Sequence, residues 1–240
     1  MNNKNKVVII LLLSSILIVL STVVAQVKGA QKSTGNKLSE IQEDQSTELE
    51  NKDNSQYIDT ALAKEIEAYL KENDIDHEKV SYCITDLKHN IKYSMNEKEE
   101  FVAASTYKLP LAMLYYDMVN EGKYDEAMQK YTDSISENYY SAENITTANT
   151  MNDVVSYLYK NKANYKDLIT NMKKAEPGEY LDKIIQQNMP QKYGMYNCAY
   201  NSVGFVDCET PYSIVVLTSL GEKGVDVMAN INSIAYEHFE

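Results

Sequence analysis

The residues with strand-like alternation lie near the two ends of the chain's folding part, and that distribution limits the architectures open to it. Near the front, "KVSYCITDL" (Lys79–Leu87) and "IKYSM" (Ile91–Met95) alternate on either side of "KHN" and read as a hairpin. Near the back come three more strand signals: "MPQKYGMY" (Met189–Tyr196), "NSVGFVDC" (Asn201–Cys208) and "YSIVVLTS" (Tyr212–Ser219). The "ETP" turn joins the last two. "YIDTALAKEIEAYL" (Tyr57–Leu70) and "GVDVMANINSIAYEHF" (Gly224–Phe239) have apolar residues at helical spacing and bracket the strands. The middle holds an apolar helix over Tyr107–Val119, stopped by Gly122, then a polar, tyrosine-rich stretch over 125–147 without a period. "TMND" (Thr150–Asp153) reads as a capping box opening a helix through Tyr159. A further helix covers Tyr165–Lys174 and ends before Pro177 and Gly178. The order is helix, two strands, helical block, three strands, helix, with no internal repeat. It predicts an α+β fold: a five-stranded antiparallel sheet built from both chain ends, terminal helices on one face and a reduced helical lobe on the other.

Ahead of that domain the composition changes twice. Val7–Ala25, "VVIILLLSSILIVLSTVVA", carries no charge. As a helix it would span about 28 Å, close to the thickness of a hydrocarbon core. Lys4 and Lys6 precede it, and small-residue endings at Ala25 and Ala30 allow cleavage, so residues 1–30 read as a signal peptide or a membrane anchor. Residues 31–55 are polar and form a disordered linker. Residues 56–240 form the domain. The organisation predicts an extracytoplasmic protein, anchored or secreted. All 23 basic residues are Lys; against 35 acidic residues the net charge is −12, which excludes a nucleic-acid partner. Cys83, Cys198 and Cys208 are an odd number, and the last two fall at opposite ends of one expected strand, so no disulfide is expected.

Chemistry concentrates at "FVAASTYKLPLAMLYYDMVNEGK" (Phe101–Lys123). A serine hydroxyl needs a base before it becomes a nucleophile. The three histidines, His77, His89 and His238, are scattered, which gives a Ser-His-Asp triad and a zinc site little support; no metal or other cofactor is called for. Lysine can act as the base when burial or a second cation lowers its pKa. Ser105 and Lys108, three apart at a helix start, share a face, and the helix N-terminus favours a developing oxyanion. Lys192 of "KYG" would add charge that depresses Lys108. Gly194 would let a ligand lie close to the strand, and the Met195 N–H could be a second oxyanion donor.

These segments resemble the class A β-lactamase and penicillin-binding protein superfamily of serine hydrolases, whose marks are S-x-x-K, S-D-N and K-T-G. Phe101–Lys123 is similar to the family's nucleophile helix. "QKYGMYNCAYNSVGFVDCETPYSIVVLTS" (Gln191–Ser219) is similar to the K-T-G strand and the two after it, with Asn201-Ser202-Val203-Gly204 in place of Asn-Asp-Val-Gly. "NITTANTMNDVVSYLYKN" (Asn144–Asn161) resembles the late helix before that strand. The resemblance implies that Ser105 is acylated, Lys108 is its base and Lys192 binds a substrate carboxylate. It places the oxyanion between the N–H groups of Ser105 and Met195, and substrate against Tyr193 and Gly194.

The sequence departs from the family in three places. No S-D-N is spelled; "SEN" (Ser136–Asn138) is nearest, and the short interval from Ser105 to Lys192 suggests a shortened helical lobe. Glu176 in "AEPGEYL" resembles the deacylating glutamate of the family's Ω-shaped loop but falls much later, where a helix-ending turn is the simpler reading. Tyr193 replaces a threonine whose hydroxyl usually touches the substrate carboxylate. The expected activity is therefore acylation by a β-lactam or a D-alanyl wall peptide with weak or defective deacylation. The other reading is a non-catalytic domain that binds wall peptide or a protein partner. Tyrosine clusters such as Tyr115-Tyr116 and Tyr139-Tyr140 read as packing in a chain with 20 Tyr, 3 Phe and no Trp.

Overall fold

The computed structural model describes residues 60–129 and 144–240. The apolar run Val7–Ala25, the linker 31–55, Tyr139-Tyr140 and "SEN" at 136–138 lie outside the described residues. Among the described residues no helix is long and apolar enough to cross a membrane.

Helix α1 (Thr60–Glu72) leads into β1 (Val80–Asp86) and β2 (Lys92–Met95), the expected hairpin. A two-residue strand β3 (Phe101–Val102) and a 3-10 turn (Ala104–Tyr107) precede α2 (Lys108–Asn120). After β4 (Ile145–Thr146), paired with β3, come α3 (Ala148–Lys160), α4 (Lys166–Lys174) and the one-turn α5 (Asp182–Ile185). Then β5 (Gln191–Tyr196), β6 (Ala199–Val206) and β7 (Tyr212–Thr218) run antiparallel, and α6 (Lys223–Phe239) closes the chain. The sheet order is β2-β1-β7-β6-β5. The last strand thus pairs with the first, and β5 is left at an edge.

The period-two alternation sorts side chains between two cores. Tyr82 and Ile84 of β1, with Tyr212, Ile214 and Val216 of β7, pack on Leu62, Ile66 and Leu70 of α1 and Val227, Met228 and Ile231 of α6. Cys83, Val215 and Leu217 point the other way, onto Leu109 and Met113 of α2 and Met151, Val155 and Leu158 of α3. Every residue of β1 and β7 is buried, as central strands covered on both faces require. This is the layer order expected from the sequence: terminal helices on one face, the helical block on the other.

Three local readings change. The capping residue of α3 is Thr147, whose side chain accepts from the N–H of Thr150, three residues before the start read from "TMND". The β3–β4 ribbon was not anticipated, because two-residue strands show no period. Ser105 sits in the 3-10 turn that precedes α2 rather than in the helix itself. Tyr115 is buried and meets Tyr116 edge-on at 5.8 Å, a packing contact. Cys198 and Cys208 flank β6 at its two ends.

Candidate active site

The turn carrying Ser105 is pressed against β5. A Cβ added to Gly194 would stand 2.5 Å from the Ser105 nitrogen, 2.8 Å from that of Thr106 and 3.1 Å from the Ala103 carbonyl oxygen. Real side chains never approach backbone that closely. The glycine read as room for a ligand is first of all room for the backbone of Ser105 and Thr106. The residue before the serine, Ala104, has φ 49°, a left-handed conformation costly for a residue with a Cβ and held only where its surroundings over-determine it.

Those surroundings are specific. Asn201 of β6, cross-strand partner of Gly194, is fully buried. Its amide donates to the carbonyls of Val102 (2.7 Å) and Ala103 (3.2 Å), and its Oδ1 accepts from the N–H of Thr218 (2.9 Å). Thr106 Oγ1 donates to the Ala103 carbonyl at 2.7 Å, and Asn144 Nδ2 to the Ala104 carbonyl at 2.8 Å. Asn201 entered the sequence reading only as part of a four-residue match, since nothing in one sequence shows which carbonyls a buried amide will meet. Asn201→Ala takes a donor from the part-buried Val102 carbonyl and an acceptor from the buried Thr218 N–H, while the Ala103 carbonyl keeps Thr106. We expect a stability loss of ~3 kcal/mol in urea denaturation; a loss below ~0.5 kcal/mol, the scale of an inconsequential substitution, would show that the turn does not depend on this amide.

The backbone pattern of β5 follows from one bond. The Phe205 N–H donates to the Pro190 carbonyl at 3.3 Å, one step before the Gln191–Gly204 pair. Antiparallel pairs alternate in direction. Lys192, Gly194 and Tyr196 therefore turn their polar groups into β6, while Tyr193 and Met195 turn theirs to the free edge. The Met195 N–H projects from that edge beside the glycine that faces the Ser105 nitrogen.

The two lysines named from the sequence are brought together. Burial, with the charge of Lys108 second, pushes Lys192 down to about 8. Burial also lowers Lys108. The expectation was that Lys192 would depress Lys108; burial is what lowers Lys108, and the charge of one lysine on the other is felt at Lys192. Lys108 Nζ lies 5.9 Å from the centroid of Tyr107. The histidines are elsewhere: His89 bonds Asp86 at 2.7 Å, and His238 packs edge-on against Tyr93. Among the described residues no group of three His, Cys, Asp or Glu side chains is placed to hold a metal.

Glu176 lies in the turn after α4 with φ 56°. Its carboxylate accepts from the Tyr193 hydroxyl at 3.5 Å, and its charge is not among those acting on Lys192. Tyr193 is stacked on Tyr180, a residue the sequence reading passed over. A cleft of about 690 Å³ runs between Phe101-Val102 and the β5–β6 hairpin and is bordered by Glu78, Glu99 and Glu100. It adjoins the Ser105 turn but contains none of Ser105, Lys108 and Lys192.

A sheet of this order, between terminal helices and a helical block that opens with the serine turn, is the β-lactamase and penicillin-binding protein fold. The Beta-lactamase enzyme family matches residues 61–138. A β-lactamase structure from Sphaerobacter thermophilus superposes with TM-score 0.60 at 14% identity, covering 75% of this chain and 97% of its own. One from Chitinophaga pinensis gives TM-score 0.60 at 13% identity, covering 75% and 99%. PBP-A, in a variant structure that is an acyl-enzyme complex with penicillin G, gives 0.60 at 12%, covering 75% and 96%. No curated protein matches the sequence. The structural likeness, at 12–14% identity, shows the β-lactamase/penicillin-binding-protein fold, and the family match covers the first part of the domain.

Proposed function

We propose that the chain is a serine acyl-hydrolase whose nucleophile is Ser105, acylated by a β-lactam or a D-alanyl peptide of the cell wall and slow to release the acyl group. The observation that carries this reading is the Ser105 nitrogen set against Gly194 beside a pair of half-buried lysines. An amine titrating near 8 is partly neutral at physiological pH and can accept a proton. Ser105 Oγ adds to the carbonyl carbon while its proton passes to the Lys108–Lys192 pair. The oxyanion is held by the N–H groups of Ser105 and Met195. The carbonyl C–N bond then breaks, and the proton goes to the departing nitrogen: the ring nitrogen of a β-lactam, or the amine of a released D-alanine. Slow deacylation is supported by Glu176 being engaged at Tyr193 and by the absence of an S-D-N spelling in the sequence. Val7–Ala25 supports export, with the domain held to the membrane or released from it.

The test is intact mass. Residues 56–240, which contain both cores as seen among the described residues, are incubated with a penicillin beside Ser105→Ala. The expected result is a gain of one ligand mass in the wild type, persisting for minutes or longer, and none in the variant. An adduct that forms equally in both would remove Ser105 from its role. No adduct and no hydrolysed drug would favour the non-catalytic binding domain.

A further inference from the structure

Neighbouring residues on a strand point to opposite faces, so Lys192 and Tyr193 have no reason to meet. Yet Lys192 Nζ donates to the carbonyl of Tyr193 and lies 4.3 Å from the centroid of its ring. Both side chains have to bend over the free edge of β5 for this, toward the side to which the Tyr193 carbonyl already points. The ring is not free to shift with the lysine. It stacks on Tyr180 with centroids 4.4 Å apart and planes 8° from parallel. Two groups that close to one ring take its opposite faces. Its hydroxyl donates to Glu176.

Tyr180 is fixed in turn. Its hydroxyl contacts Met195 Sδ at 3.4 Å, and its backbone is left-handed at φ 51°. The loop bearing it is fastened to β5 through the buried Gln191. That side chain donates to the Glu179 carbonyl at 2.8 Å and accepts from the Leu181 N–H at 3.1 Å. A chain of contacts therefore runs from the loop, through Tyr180 and Tyr193, to the lysine.

We propose that Tyr193 is a positioning residue: its ring, held from behind by Tyr180, is the seat of the Lys192 ammonium at the edge of the site. Tyrosine here does not extend the role of the family's threonine toward substrate; it turns its hydroxyl away and offers a π face to the protein's own cation. This deepens the acylation reading by assigning how one of its two amines is held, but its test does not depend on that reading.

The test is the titration of Lys192 in the full chain in detergent, labelled with ¹³C at the lysine Cε and assigned by Lys192→Arg. The groups acting on this amine are burial, Lys108 from α2, the Tyr193 carbonyl and the Tyr193 ring; Glu176 acts on the Tyr193 and Tyr180 hydroxyls and Glu179 on that of Tyr180, rather than on the amine. Burial and Lys108 favour the neutral form, and the ring quadrupole favours the charged one. Tyr193→Leu keeps the site apolar but removes the π face, so the Lys192 midpoint should fall by ~0.5 pH unit. Tyr193→Phe should leave it in place. Tyr180→Leu, which frees the ring without touching Lys192, should move it in the same direction as Tyr193→Leu. A structural role alone would lower the melting temperature without moving this midpoint. An unchanged midpoint in Tyr193→Leu would overturn the proposal, as would an equal shift in Tyr193→Phe. If Tyr193→Leu does not fold, Tyr180→Leu decides: no shift there overturns it. A chain that takes no penicillin adduct still gives this titration, so failure of the acylation reading and failure of this one are separate results.

Discussion

Gly194→Ala is expected to slow acylation of Ser105 by ~100-fold or more while the sheet survives. The new methyl would stand 2.5 Å from the Ser105 nitrogen and 2.8 Å from the Thr106 nitrogen. Both are backbone, and neither can swing aside as a side chain would. Either the turn lifts off β5 or the edge strand peels from β6. In both cases the N–H groups of Ser105 and Met195 separate, and donors misplaced by an ångström lose most of their hold on an oxyanion. The overpacking itself should cost ~1–3 kcal/mol of stability. Gly221→Ala is the matched control. Gly221 has nothing within 4 Å of an added Cβ but sits at φ 64°, so alanine there carries backbone strain without touching the Ser105 turn. Its expected stability loss is ~1 kcal/mol, with acylation unchanged. Acylation is followed as adduct mass against time, and stability by urea denaturation. Equal acylation rates in the two alanine variants would mean that contact between β5 and the serine turn is not what builds the site.

The fold was legible because its evidence is periodic. Tyr82, Ile84, Ile214 and Val216 alternate with Cys83 and Val215, and each set meets a different layer, so the period alone says the sheet is covered on both faces. The pairing of the first strand with the last required only that a front hairpin and three late strands share one sheet. The positions of Ser105 and Lys192 were legible through two short motifs inside long apolar contexts. What escaped the sequence was contact made across the chain. Asn201 supports a turn 98 residues away from it, and a polar residue in a strand gives no sign of which carbonyls it will find. Tyr180 looked like one more turn residue in "PGEYL" until β5 brought Tyr193 beneath it. The Gly194 reading rested on close approach to the strand, and the backbone seen to approach it is that of Ser105 and Thr106. The relative depression of the two lysines depends on depth of burial, which spacing along the chain does not encode.

Lys192→Met should stabilise the protein at pH 7 by ~1–3 kcal/mol while removing acylation. The sign follows from the direction of the shift. An ordinary lysine titrates at 10.5, and folding pushes Lys192 down to about 8. Between those values the unfolded chain holds the proton that the folded chain has given up, so stability rises with pH across that window. Below pH 8 both states are protonated and the folded state carries the whole penalty, ~3 kcal/mol for a shift of this size. The bond to the Tyr193 carbonyl and the ring beneath the ammonium are already contained in that net shift. Methionine removes the charge, fills similar space and has no proton to lose. Wild type and variant should therefore differ most at pH 7 and converge toward pH 10.5 in urea denaturation. Their difference is the informative quantity: burial pushes Tyr82 and Tyr180 up to about 12, so both proteins lose stability as pH climbs past 10 for a reason unrelated to Lys192. A variant no more stable than wild type at pH 7, with the same slope from pH 8 to 10.5, would show that Lys192 is solvated in the folded protein and would withdraw its depressed amine from the mechanism. The predicted result would bear on the residue itself: a half-buried cation beside another cation weakens the fold, and packing would be better served by methionine, so its presence would be accounted for by the proposed role of the Lys108–Lys192 pair in taking the proton of Ser105.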